Sequence, residues 1–208
     1  MLEIIKAGGW LMLPIILCSI VALAIIAERL WTLQRRRVLP KDLTMRVWEW
    51  ARDRQLDQKH LSVLSNNSPM GRVLAAGLAN RHQSREVLKE IVQDTGRHVV
   101  HELERYLNSL GTIAAVTPLL GLLGTVIGMV KVFTAITTAG VGNPSVLAGG
   151  ISEALITTAA GLSVAIPSLI AYRYLRGQVD ALVVEMEKEA MKLVDALHAT
   201  PASEAGTT

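Results

Sequence analysis

The chain has 208 residues, half of them hydrophobic, with 21 Lys and Arg, 18 Asp and Glu, and one Phe. That is too apolar for an ordinary soluble domain and too charged for a wholly embedded protein, so a membrane part and a water-facing part are expected. The net charge of +3 is mild, and no basic strip interleaved with aromatics suggests nucleic-acid binding.

The first apolar window runs from Ala7 to Ala27 and is closed by Glu28 and Arg29. No clear small-x-small cleavage site closes it, and Leu17 is bulky where lipoprotein processing at Cys18 needs a small residue. Cys18 therefore reads as a small apolar packing residue, and the segment as a retained transmembrane helix. Trp10 and Trp31 bracket it as interfacial anchors, which sets the divisions 1–9 for a short outer N-terminus and 10–31 for the first span.

Residues 32–105 read as a helical region in the cytoplasm. Leu43, Val47, Trp50 and Ala51 recur at helical spacing, as do Val87, Leu88, Ile91, Val92 and Val99. Ser68 precedes Pro69 as a helix cap precedes proline at the first helical position. Ser84 caps the next helix, with Glu86 facing the positive end of its dipole. No proline lies between Arg85 and Thr117, so one unbroken helix on the order of 50 residues and 75 Å is expected to run from here through the second span, 106–137.

A short connection, 138–143, leads to the third span, 144–172. Asn143-Pro144 has the form of a cap and first helical residue, which puts Glu153 about 14 Å along the helix; a start near Ile151 would put it at the membrane edge. We take the earlier start. The helix then continues through 173–198 with a stripe of Leu182, Val183, Met186, Ala190, Leu193 and Leu197, and the small polar residues 199–208 read as a disordered tail. Long helices with apolar stripes can bury them within one chain or between chains, and a ring is the sharper expectation.

Lys and Arg set the direction. Only Lys6 precedes the first span, fourteen lie from Arg35 to Arg105, none lies in the connection, and Arg173, Arg176, Lys188 and Lys192 follow the third span. The N-terminus is thus expected outside and both charged segments in the cytoplasm.

From Val132 to Tyr172 the one charge is Glu153. An acid attached to an apolar span usually faces a cavity, a partner helix or a permeant ion. Thr157 lies one turn on along the same face, while Thr158 is displaced by roughly 140°. Gly161, Ala165 and Ser168 continue this broad, weakly polar strip. In the second span Gly121, Gly124 and Gly128 form a smooth strip for close helix approach, and the Thr125 hydroxyl can bond back to the Gly121 carbonyl. Pro118 and Pro167 are expected to kink their helices, and Lys131 to snorkel. One carboxylate per chain is a sparse relay for protons; if protons do cross, a second protein can supply the group that binds and releases them.

The segments Pro118-Leu-Leu-Gly-Leu-Leu-Gly-Thr-Val-Ile-Gly128 and Ile151-Ser-Glu-Ala-Leu-Ile-Thr-Thr-Ala-Ala-Gly-Leu-Ser-Val-Ala-Ile-Pro167 resemble the second and third transmembrane helices of the ExbB/TolQ/MotA proton-channel family. Three spans and a short outer connection are more similar to ExbB and TolQ than to MotA. The resemblance implies an all-α integral membrane protein of the bacterial inner membrane, N-terminus periplasmic and C-terminus cytoplasmic. It further implies a homopentamer around a pore that holds two ExbD-like or TolR-like single-span subunits, which carry the proton-binding aspartate. Thr125, Glu153 and Thr158 would face the pore by this likeness; Thr157 rests on spacing alone. The implied work is force, drawn from the proton gradient, on a TonB-like or TolA-like envelope protein.

Two other classes compete. A stand-alone channel or transporter is disfavoured because no inverted repeat or interrupted helix pair is visible. A structural scaffold leaves Glu153 without use. No cofactor or metal is expected, and an enzyme is least expected. His60, His82, His98, His101 and His198 are dispersed, and Glu102 and Glu104 read as a solvated helix face.

Overall fold

The computed structural model describes residues 8–40, 58–140 and 144–198, nearly all of them helical. In order these are α1 (Met12–Thr32), a short α2 (Arg35–Val38), α3 (Gln58–Asn67), α4 (Pro69–Ala79), α5 (Arg85–Leu103), α6 (Leu107–Ala139) and α7 (Pro144–His198). The stripe expected at Leu43, Val47, Trp50 and Ala51, the Asn143 cap, residues 1–7 and the tail 199–208 lie outside the described residues. Three stretches are long and apolar enough to cross a membrane: α1, the run that contains α6, and α7.

The described residues divide into two compact units. One, the apolar unit, comprises residues 8–29 and Tyr106–Leu175; the other, the charged unit, comprises the described part of Leu30–Arg105 and residues 176–198.

In the apolar unit, α1 buries Met12, Ile15 and Ala22 and leaves Leu13, Leu17, Ile20 and Leu23 exposed. The same one-sided exposure recurs on α6 at Leu119, Leu122, Val126 and Val130, and on α7 at Leu155, Ile166 and Ile170. So large an apolar surface is unusual on a soluble monomer and suits lipid or neighbouring subunits. Pro118 lies inside α6 and Pro167 inside α7, and neither ends its helix. Helix α7 begins at Pro144, the earlier of the two starts considered.

The charged unit has the core of a small helical bundle. Leu74, Leu78, Leu88, Val99, Leu182, Met186, Leu193 and Val194 are buried. Helix α4 is capped by Ser68, whose Oγ accepts the Gly71 amide at 3.0 Å, with Pro69 at its first position. Ser84 caps α5 in the same way through the Val87 amide. Arg35–Glu185, Arg72–Glu102, Arg85–Asp195 and Arg176–Glu104 pair across its surface. The α7 stripe of Leu182, Met186, Ala190 and Leu193 is buried within the single chain, so that stripe is satisfied without a ring.

The single long helix expected from Arg85 through the second span is not formed. Helix α5 ends at Leu103, and α6 starts at Leu107 after Tyr106 takes a left-handed conformation, φ 64°. Such a conformation costs a non-glycine residue roughly 1–2 kcal/mol. The Tyr106 ring lies 5.5 Å from the guanidinium of Arg29, which is itself buried and paired with the Glu28 carboxylate. With neither Gly nor Pro at the break, the sequence carries no local sign of it.

Candidate functional site

Helices α6 and α7 pack antiparallel through small residues. Gly111 meets Tyr172, Gly121 meets Thr158, Gly124 meets Thr157, Gly128 meets Ala154 and Gly150 meets Val132, so the partners descend one helix as they climb the other. The contacts are backbone-close. A Cβ added at Gly161 would sit 2.8 Å from the Thr117 carbonyl oxygen and 3.1 Å from the Gly121 Cα, and one at Gly128 would sit 2.8 Å from the Gly150 carbonyl oxygen. In lipid, where apolar burial gives helices little reason to associate, such dispersion contacts supply the attraction.

Polar groups are set into this seam. Thr158 Oγ1 donates across it to the Gly121 carbonyl at 2.9 Å. Thr157 is buried, and its hydroxyl proton has two carbonyl acceptors in reach: Glu153 one turn back at 2.7 Å and Gly8, ahead of α1, at 2.8 Å. Thr117 is also buried, its hydroxyl donating back to the Ile113 carbonyl. Thr125 is half-buried and donates to the Leu122 carbonyl at 2.6 Å, within its own helix. The back-bond expected from Thr125 to Gly121 is therefore not made: Thr125 turns to Leu122, and the Gly121 carbonyl accepts Thr158.

Glu153 has a partner that the sequence reading assigned to the solvent. Lys131 Nζ on α6 donates to Glu153 Oε1 at 2.6 Å. The Glu153 side chain is only 20% exposed, and Gly9 lies against its carboxylate. Gly9 has φ +69°, and a Cβ there would overlap Glu153 Oε1. Any other residue would be strained at that φ and would displace the carboxylate. The turn before α1 thus touches both Glu153 and Thr157, the first through Gly9 and the second through Gly8.

Residues 65–188 match the MotA/TolQ/ExbB proton channel family. The chain belongs to that family. It is 36% identical over 171 residues to a putative ExbB-like 1 biopolymer transport protein of Synechocystis, covering 81% of this chain and 67% of the relative. It is 29% identical over 185 residues to the biopolymer transport protein exbB1 of Vibrio cholerae, covering 86% and 80%. The Tol-Pal system protein TolQ of Haemophilus influenzae is 42% identical over 83 residues, covering 40% of this chain and 36% of that protein. Among solved structures, C. jejuni MotAB superposes with a TM-score of 0.53 over 94% of this chain and 78% of that one, at 19% identity, a likeness of fold.

As a member of the MotA/TolQ/ExbB family the chain is a membrane protein and a subunit of the proton-channel, motor type. The residues singled out from sequence divide three ways in its structure. Gly121, Gly124, Gly128 and Gly161 all line the α6–α7 seam. Glu153, Thr157 and Thr158 meet there with Lys131, Gly8 and the Gly121 carbonyl. Thr125 keeps to its own helix. The residues sequence reasoning missed are Lys131, Gly8 and Gly9. Lys131 had a readable signal, since it and Glu153 stand at similar distances on either side of the connection and an embedded acid calls for a cation. Gly8 and Gly9 had none, because nothing in their spacing relates them to α7.

Proposed function

We propose that the chain is the ring-forming subunit of an inner-membrane, proton-driven motor of the ExbB/TolQ kind, which turns proton motive force into mechanical work on an envelope protein. One observation carries this reading: Glu153 is a mostly covered acid in an apolar helical hairpin, held at a defined place by a cation and a glycine turn. A scaffold has no use for so costly a group. Threonine hydroxyls can pass a proton along but cannot store one, so the group that loads and unloads protons belongs to a partner.

That partner is a single-span subunit of the ExbD or TolR kind, two helices of which stand in a pore formed by five copies of this chain. The exposed apolar faces of α1, α6 and α7 supply surface for both lipid and neighbouring copies. Thr125, Glu153 and Thr158 belong to the proton pathway on the pore side. Thr157 contributes from within the subunit, by fixing the backbone around Glu153. The charged unit is cytoplasmic, the N-terminus periplasmic, and the force is delivered to a protein of the TonB or TolA kind.

The test is to purify the chain with the product of a neighbouring small single-span gene, weigh the complex by native mass spectrometry and measure proton flux in liposomes. The expected result is five copies of this chain with two of the partner, and flux that Glu153→Gln abolishes while the complex still assembles. A complex without the partner, or undiminished flux with Gln at 153, overturns the reading.

A further inference from the structure

Between Leu107 and Tyr172 the two charged residues are Lys131 and Glu153, and their positions are matched. Lys131 lies eight residues before the end of α6, and Glu153 lies nine residues after the start of α7, each about 12 to 14 Å along its helix from the connection. The antiparallel register that pairs Gly128 with Ala154 and Val132 with Gly150 also brings position 131 beside 153. Lys131 is half-exposed in the single chain, and a half-exposed pair in water contributes little. Its surroundings are not those of a water-facing pair: Val130, Phe133, Ile151 and Leu155 are all exposed around it, an apolar surface suited to lipid or another subunit. There an ion pair is screened weakly, and removing one partner leaves the other costly to keep charged.

We infer that Lys131 is a positioning residue for Glu153: its ammonium holds the carboxylate against the Gly9 turn, in the place from which it acts on the proton pathway. This rests on the motor reading for its functional consequence, but the pair itself does not. Three features support holding over chance contact. The distance is that of a charge-assisted hydrogen bond, the Gly9 backbone leaves room for the carboxylate and no more, and Thr157 ties the same turn to the same stretch of α7.

The experiment uses the intact complex in membranes and has two readouts. A lipid-soluble carbodiimide activates the Glu153 carboxyl as an O-acylisourea. A lysine amine in contact attacks that carbonyl, the urea leaves, and an amide joins the two side chains with net loss of one water. Mass spectrometry is expected to find the Lys131–Glu153 link in the wild type. In Lys131→Met, Glu153 should carry the rearranged N-acylurea adduct instead. A wild type in which Glu153 takes up the adduct without any link overturns the pairing.

Proton flux in liposomes gives the second readout. Lys131→Met is expected to lower flux about tenfold or more at unchanged yield of complex, because it leaves a carboxylate without its counter-charge. Lys131→Arg, which keeps the charge, is expected to stay within about threefold of the wild type. The exchange of both residues, Lys131→Glu with Glu153→Lys, should keep the yield and lose the flux, since the carboxylate then stands on the wrong helix. Wild-type flux in Lys131→Met, with Glu153→Gln inactive, removes Lys131 from the mechanism and leaves the motor reading intact. Loss of assembled complex in step with flux in both Lys131→Met and Lys131→Arg makes Lys131 a packing residue only. A wild-type complex that carries no proton-driven flux sinks the motor reading itself, and the cross-link still reports on the pair.

Discussion

In the α6–α7 seam two glycines face backbone directly: a Cβ at Gly161 would meet the Thr117 carbonyl oxygen and the Gly121 Cα, and one at Gly121 would meet the Thr158 Cα and the Thr157 carbonyl oxygen. In the charged unit Gly71 on α4 also meets backbone, at the Leu64 carbonyl, but Gly77 on the same helix faces the ends of Leu193 and Val92, side-chain methyls at 3.1 and 3.3 Å from its would-be Cβ. The two regions cohere by different means. The bundle gathers Leu, Val and Met away from water, and Gly77 stands among side chains that can shift. The hairpin exposes its large apolar residues and makes contact through glycine, alanine and threonine, with threonine hydroxyls satisfied on carbonyls of α6 and α7. The difference follows from the solvent each region is built for. Water drives large apolar side chains together, whereas lipid does not, so helices there must gain from close fit and interhelical hydrogen bonds.

The largest effect expected from this contrast is in the bundle. Leu193 is almost completely buried, and Leu193→Ala should destabilise the charged unit by about 2–5 kcal/mol, read by chemical unfolding of the solubilised protein. An effect below about 1 kcal/mol would mean that this core is loosely packed and would weaken the comparison.

The paired glycines sharpen it further. Gly161→Ala should cost about 1–3 kcal/mol, because backbone on the facing helix cannot step aside. Gly77→Ala should lie within about 1 kcal/mol of the wild type, since relief of glycine's poor helix propensity offsets a small shift of Leu193. Equal costs at the two positions would remove the distinction between the regions.

How far these features were readable from sequence depends on their range. Caps at Ser68 and Ser84, the helix start at Pro144 and the α7 stripe are local patterns, and all are present in the structure. The glycine strip was legible as a strip, and its partner face on α7 was legible as a run of small residues. What could not be read was pairing across distance. The break at Tyr106 has no breaker residue, and Arg29, whose guanidinium lies near its ring, is remote in the chain. The bond from Thr158 to the Gly121 carbonyl depends on interhelical register. Gly8 and Gly9 reach Thr157 and Glu153 only through the packing of α1.

Thr157 probes that long-range contact directly. Thr157→Val keeps the shape that fits against Gly124 and removes the hydroxyl that reaches the Gly8 carbonyl. The expected cost is about 1 kcal/mol, the net value of a typical hydrogen bond, and it should appear as faster proteolysis near the N-terminus while the α6–α7 packing is kept. Unchanged cleavage in the Val variant would show that the Gly8 contact does not hold the turn in place.

The smallest effect belongs to the surface of the charged unit. Arg72 Nη1 donates to Glu102 Oε1 at 2.7 Å, and this hydrogen bond, with the nearby positive charge, holds the Glu102 carboxyl below the usual carboxylate range. Both side chains remain more than a third exposed, so solvent screens the pair and Glu102→Gln should cost less than about 1 kcal/mol near neutral pH. The sign with pH follows from the lowered value. The contribution is fully present above the ordinary carboxylate range and is lost as pH falls through the depressed folded-state value, where the folded protein takes up the proton too. The gap between wild type and Glu102→Gln should therefore close in acid, and narrow in high salt at neutral pH. The gap for Gly161→Ala, which involves no charge, should do neither. Unfolding curves for the three proteins at neutral and acid pH, and at low and high salt, make the comparison; a Glu102→Gln gap that persists in acid would show that Glu102 acts through packing and not through its charge.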